Sequence, residues 1–362
     1  MRSVSMKNMV YNVRQKGACA KRLALLLGMA VITACSLGME DHMPHVEMGP
    51  EGQFITLPQG RVHAIVKGEG PDLVMIHGAS SNARDFSFDL IDRMADEFRV
   101  IAFDRPGFGY SDSLGEPLSP MEQAEILRRA AGQLGVDQPI VLGHSYGGAV
   151  ALAWALRAGD DVAGLTLLAP ASHPWPGGLG FWRELSASPL GQHIVLPTIS
   201  HIAPRQLVNA SVERVFQPNE VPDGYLDHLG LELTLRTRQM QINALQIDRL
   251  EGYLEAMVPE YPDLSIPIEV VHGRADRTVG LQYHAERLAA AVDSVNLTRV
   301  EGMGHMPHHA DPERVADAIR RTAERSSLAE DQEDLAAFKD RVAEPTISYE
   351  ALLDDLRAHG KI

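Results

Sequence analysis

The sequence predicts an α/β fold: a mostly parallel sheet with helices on both faces and a helical segment inserted after the sixth strand. Three observations carry this. Short, wholly apolar runs such as Leu73-Val74-Met75-Ile76 and Ile140-Val141-Leu142 recur between helix-length segments, as strands covered on both faces require. The runs alternate with helices, so successive strands lie parallel with right-handed crossovers. The chemistry-bearing residues fall just after the strands, where ligands bind in open parallel sheets.

In chain order, Gln53–Leu57 and Arg61–Val66, separated by Pro58-Gln59-Gly60, read as an antiparallel hairpin at a sheet edge. Strand Leu73–Ile76 ends in His77-Gly78-Ala79-Ser80-Ser81. A helix is expected over Phe86–Phe98, then strand Arg99–Phe103 and the turn-rich Asp104-Arg105-Pro106-Gly107-Phe108-Gly109-Tyr110-Ser111-Asp112. Helix Pro120–Leu134 leads into the apolar strand before Gly143-His144-Ser145-Tyr146-Gly147-Gly148, and an Ala-rich helix follows. There the serine sits on a strand-to-helix turn, flanked by glycines that let strand and helix pass closely. Its hydroxyl faces open space, and the Tyr146 N–H lies at a helix N-terminus, where an oxyanion is stabilised.

The alternation stops after strand Leu165–Leu168. Residues 171–262 hold helical fragments broken by prolines and glycines, and read as a lid over the sheet's C-terminal edge. The lid aromatics Trp175, Phe181, Trp182, Phe216 and Tyr225 are candidates for a substrate pocket. The rhythm resumes with Ile266–Val271, ending at His272-Gly273-Arg274-Ala275-Asp276. Strand Asn296–Val300 leads to Gly302-Met303-Gly304-His305, and Glu313–Arg325 is the last core helix. Residues 327–362 form an acidic helical tail.

Acyl transfer by serine needs a base, a carboxylate to orient it and N–H donors for the oxyanion. The loop after Leu165–Leu168 is Ala169-Pro170-Ala171, without an acid, so Asp276 is the candidate carboxylate and His305 the candidate base. His77 and His272 each end a strand before Gly and read as structural or pocket-flanking. Strand alternation turns His144 away from the nucleophile side. His305, His308 and His309 cluster in sequence, but no carboxylate-rich loop accompanies them, so neither a metal nor a cofactor is expected.

From about Gly70 to Arg325 these five motifs, in this order, resemble a lid-bearing α/β-hydrolase. The resemblance implies a serine hydrolase acting on a carboxylic ester or lactone of a small molecule, with Ser145, Asp276 and His305 as triad. It also implies the N–H groups of Ala79 and Tyr146 as oxyanion donors. Serine rather than aspartate at the nucleophile speaks against dehalogenase or epoxide hydrolase chemistry. C–C bond hydrolysis, amidase or aminopeptidase action, perhydrolysis and non-catalytic binding on the same scaffold stay open at this stage.

The totals bound the setting. The 362 residues are 45% hydrophobic and 22% charged, an ordinary globular composition. A net charge of −15 argues against nucleic-acid partners. Residues 1–34 carry six basic residues and no acid, with an apolar core over Leu23–Ile32, and read as a signal peptide. Ile32-Thr33-Ala34-Cys35 resembles a bacterial lipobox, which implies lipidation of Cys35 and anchoring in the cell envelope, facing the periplasm or exterior. Residues 35–52 read as a tether. The folded part contains no cysteine, so no disulfide is available.

Overall fold

The computed structural model describes residues 49–115, 117–176, 180–343 and 356–359. The expected signal segment, Cys35, most of the tether, and residues 344–355 and 360–362 of the tail lie outside the described residues.

Eight strands form one sheet: β1 (Gln53–Leu57), β2 (Gly60–Lys67), β3 (Asp72–Ile76), β4 (Arg99–Phe103), β5 (Ile140–His144), β6 (Gly164–Leu168), β7 (Ile268–Gly273) and β8 (Val295–Val300). Their order is β1-β2-β4-β3-β5-β6-β7-β8. The β1–β2 and β2–β4 pairs are antiparallel, and every later pair is parallel. The hairpin therefore sits at one edge, and β5, which leads into the turn at 143–147 around Ser145, is central. All five residues of β5 and of β6 are buried, which is why neither strand shows an alternating polar face.

Five described helices exceed seven residues: α1 (Pro120–Gln133), α2 (Tyr146–Ala158), α3 (Arg205–Phe216), α4 (Thr237–Met257) and α5 (Pro312–Ala343). Helix α1 begins where Ser119 and Glu122 form a reciprocal capping box before Pro120. Helix α2 is buried through its first ten residues and packs one sheet face with α1. On the other face α5 buries Val315, Ala316, Ala318 and Ile319. It is pinned there by Arg321 and Arg325, which both pair with the fully buried Glu269 of β7.

Two expected elements differ. The helix expected over Phe86–Phe98 is two short pieces, Arg84–Ser87 and Leu90–Met94, because Asp89 leaves helical backbone geometry between them. The last core helix does not stop at Arg325 but runs to Ala343, since nothing between Ser326 and Ala343 is a proline or glycine.

Between β6 and β7 the chain makes a helical excursion that contains α3 and α4. Helix α4 meets the sheet's C-terminal loops through Gln239, Asn243 and Gln246. These residues are four and three apart, so they share one helix face. Gln239 Oε1 accepts from Gly109 N at 3.0 Å, Asn243 bonds Ser80, and Gln246 Oε1 accepts from Arg105 at 2.9 Å. Among the described residues no helix is long and apolar enough to cross a membrane.

Candidate active site

Ser145 sits between the end of β5 and the start of α2 at φ 53°, ψ −114°. A non-glycine residue adopts this conformation only when its surroundings over-determine it. Here they do. Ser145 N donates to Leu168 O at 3.0 Å, and Ser145 O accepts from Ala171 N at 3.0 Å. A Cβ on Gly143 would lie 2.4 Å from Gly147 O, and one on Gly147 would lie 2.1 Å from Ile76 O. Only hydrogen fits at both positions, which explains the glycine spacing around the serine.

Three loops bring the candidate triad together. Ser145 Oγ lies 2.9 Å from His305 Nε2, and His305 Nδ1 lies 2.7 Å from Asp276 Oδ2. Asp276 Oδ1 accepts from the backbone N–H groups of Thr278 and Val279, at 2.8 and 3.0 Å. Oδ2 also meets His272 Nε2 at 3.1 Å. Burial pushes the Asp276 carboxyl up, but His305 and His272 outweigh it and hold it well below the usual carboxylate range. The carboxylate is thus charged and fixed, as an orienting partner for an imidazole must be.

Ala79 and Ser145 both line a cavity of about 290 Å³, as do His305 and Met306. Tyr146 supplies the first residue of α2, while its side chain turns back into the core. There its ring lies under the Arg105 guanidinium at 4.4 Å, and its hydroxyl accepts from Gln123 Nε2 at 3.2 Å. Arg105 is fully buried and also donates to Gly78 O at 3.0 Å, so the loop carrying Ala79 is held from behind. His77 holds the same loop. Its Nε2 accepts from Arg105 N at 3.0 Å, and burial, then Arg105, lowers its pKa to about 3.

Several residues of this site are not visible in the local motifs. Asn219, from the helical excursion, accepts from Gly304 N at 2.8 Å and donates to Gly302 O at 3.3 Å, clamping the His305 loop. Asp85 also lines the cavity, and its Oδ1 meets Tyr225 OH at 2.7 Å and His309 Nε2 at 2.8 Å. Its carboxyl is held well below the usual range although burial pushes it up, because His308 and His309 flank it. An acid amid the apolar spacing of Phe86 and Leu90 was the one available signal. It pointed to no partner, since Tyr225 is 140 residues away.

His144 departs from the expectation that it faces away. It lines the cavity that holds Ser145, its ring centroid lies 5.0 Å from that of His305, and its Nε2 donates to His305 O at 2.9 Å. Ligand-type atoms of Asp85, His144 and His308 lie within 4.8 Å of one another. This set is chemically able to hold a divalent cation, and it differs from the His305, His308 and His309 grouping read from the sequence.

The aromatic candidates divide. Phe216 and Tyr225 line the cavity that holds Ser145, and Trp182 lines a larger neighbouring one. Trp175 lines neither; its ring packs at 4.3 Å against His284, so it joins the excursion to the core. The side chain of Phe181 lies outside the described residues.

Residues 73–318 match the model of the alpha/beta hydrolase family. The chain is 25% identical over 298 residues to haloalkane dehalogenase 2 of Mycobacterium tuberculosis, covering 77% of this chain and 97% of that one. It is 33% identical over 210 residues to the pimeloyl-[acyl-carrier protein] methyl ester esterase of Yersinia enterocolitica, covering 53% of this chain and 78% of that one. A solved thermophilic esterase from Thermogutta terrifontis superposes with a TM-score of 0.61 at 22% identity, over 76% of this chain and 98% of the other. The protein belongs to the alpha/beta hydrolase family.

Proposed function

We propose that this protein is a serine hydrolase that cleaves a carboxylic ester or lactone of a small molecule through an acyl-enzyme. The observation that carries the reading is the unbroken hydrogen-bond chain from Ser145 through His305 to Asp276, opening on one cavity. In the first half-reaction Ser145 Oγ attacks the carbonyl carbon while His305 Nε2 takes its proton. Asp276 stabilises the resulting imidazolium. The backbone N–H groups of Ala79 and Tyr146 receive the oxyanion, the latter helped by the N-terminus of α2. Collapse of the intermediate expels the alcohol, which takes the proton back from His305. Water then repeats the sequence on the acyl-enzyme and releases the acid.

An ester is favoured over a haloalkane because a serine stands at the nucleophile turn. The 33% identity to a methyl ester esterase supports the same choice. Ser145→Ala is the direct test. It is expected to abolish turnover of p-nitrophenyl esters and labelling by a fluorophosphonate probe, with the melting temperature nearly unchanged. Turnover retained by this variant rejects the assignment.

Two further elements belong to this reading. Residues 171–262 act as the lid of a catalytic core made of 53–170 and 263–326. Cys35 carries a lipid anchor after removal of residues 1–34, which holds the enzyme in the cell envelope. A Cys35→Ala variant is then released from the membrane fraction, whereas unchanged fractionation rejects the anchor.

A further inference from the structure

A second cavity, of about 850 Å³, adjoins the catalytic one and lies within the helical excursion. The two share Ser80, Ser211, Val212 and Leu229 in their walls, so they are neighbours through a common partition. The larger one is lined by Leu196, Ile199, Ile202, Leu207, Met240 and Ile247 among other apolar side chains. Several of its polar wall residues bond to the protein itself, while Arg183 Nε and Gln239 Nε2 are buried without a hydrogen-bond partner. Arg183 pairs with Glu251, Asn243 with Ser80, Thr198 Oγ1 donates to Ile194 O, and Ser186 Oγ donates to Arg183 O. Leu207 and Trp182 at the rim are 67% exposed, a large apolar area to leave in water.

The mostly apolar wall and the shared partition point to a mainly apolar ligand, entered from the side of Ser145. We infer that the groove takes the hydrocarbon chain of the acyl group whose carbonyl is attacked by Ser145, so that the substrates are medium- to long-chain acyl esters. This deepens the ester-hydrolase reading and rests on it for the position of the carbonyl. Polar or charged acyl groups are disfavoured, because the groove wall is predominantly apolar. A volume of this size is ample for such a chain, within the roughly 300–1,000 Å³ of ligand pockets.

The test is a ladder of p-nitrophenyl acetate, butyrate, octanoate and dodecanoate on the full chain. Each methylene buried in the groove is expected to raise kcat/KM about three- to four-fold until the groove is filled. Met240→Trp fills the groove and is expected to move the optimum to shorter chains. Leu207→Asp, on an exposed helix surface that tolerates substitution, is expected to flatten the ladder. A flat ladder in the unaltered enzyme, with turnover still dependent on Ser145, overturns the groove assignment and leaves the ester reading standing. If no ester is turned over, the ester reading falls, and dodecanoate titrated calorimetrically into Ser145→Ala decides the groove alone. Tight binding that Met240→Trp abolishes supports the groove. Absent binding, or binding indifferent to Met240→Trp, overturns it. A Leu207→Asp variant that loses liposome co-sedimentation while keeping the full ladder assigns the rim to a membrane surface, and also overturns it.

Discussion

Asn243 and Ser80 exchange two hydrogen bonds: Ser80 N donates to Asn243 Oδ1 and Asn243 Nδ2 donates to Ser80 Oγ, each at 2.9 Å. Ser80 adopts φ 53°, a left-handed conformation that needs such an external partner. It immediately follows Ala79, whose N–H is the proposed oxyanion donor. The position of that donor is therefore set by a side chain 163 residues away in the helical excursion.

Asn243→Ala is expected to lower kcat by about ten- to hundred-fold, through misplacement of the Ala79 peptide. KM for a short ester is expected to change less than kcat, because Asn243 itself does not line the cavity that holds Ser145. An equal effect on both parameters in steady-state kinetics contradicts this positioning role.

Tyr225 and Asp85 make a second link between the excursion and the core. The Tyr225 hydroxyl is buried and its pKa is raised well above the usual value, by burial and then by Asp85. It therefore stays a donor at every ordinary pH. Tyr225→Phe removes a donor to a buried carboxylate and is expected to cost about 1–3 kcal/mol, read as a lower melting temperature. Hydrogen exchange is expected to rise in α3 before the sheet strands if this bond anchors the excursion.

Acid is expected to destabilise the fold well above the carboxylate range. Burial lowers the pKa of His77 and of His284 to about 3, and of His173 to about 4, against an ordinary value of 6.5. Each is neutral when folded and takes a proton on unfolding below about 6.5, so the unfolded chain binds more protons in that window. The stability these rings contribute is complete above pH 6.5 and is lost as pH falls toward 4 and 3. Melting temperature measured between pH 8 and 4 is expected to fall progressively below 6.5, with His284→Gln flattening the slope.

Asp276→Asn keeps the shape of the candidate triad but removes the charge that faces His305. Oδ2 accepts from both His305 and His272, and Oδ1 from the Thr278 and Val279 N–H groups, so the amide NH2 is forced against either the two imidazoles or the two backbone donors. A fall in kcat of about a thousand-fold or more, with the melting temperature lowered only modestly, is the expected outcome. Near-normal kcat in this variant removes Asp276 from the mechanism.

What the sequence by itself determined was local. The glycines around Ser145 announce a turn where no Cβ fits, and the fully apolar runs announce strands covered on both faces. Asp276 stood out because the loop after β6 contains no acid. Each of these follows from a residue and its near neighbours, through sterics or side-chain period. Only the tertiary structure decided which distant groups meet. Asp85 finds Tyr225 and His309, Asn219 clamps the His305 loop, and Asn243 and Gln246 hold the loops that carry Ala79 and Arg105. A buried polar group must find a partner wherever the fold brings one within about 3 Å. No spacing along the chain encodes that meeting, because it arises from packing one layer of helices over the end of the sheet.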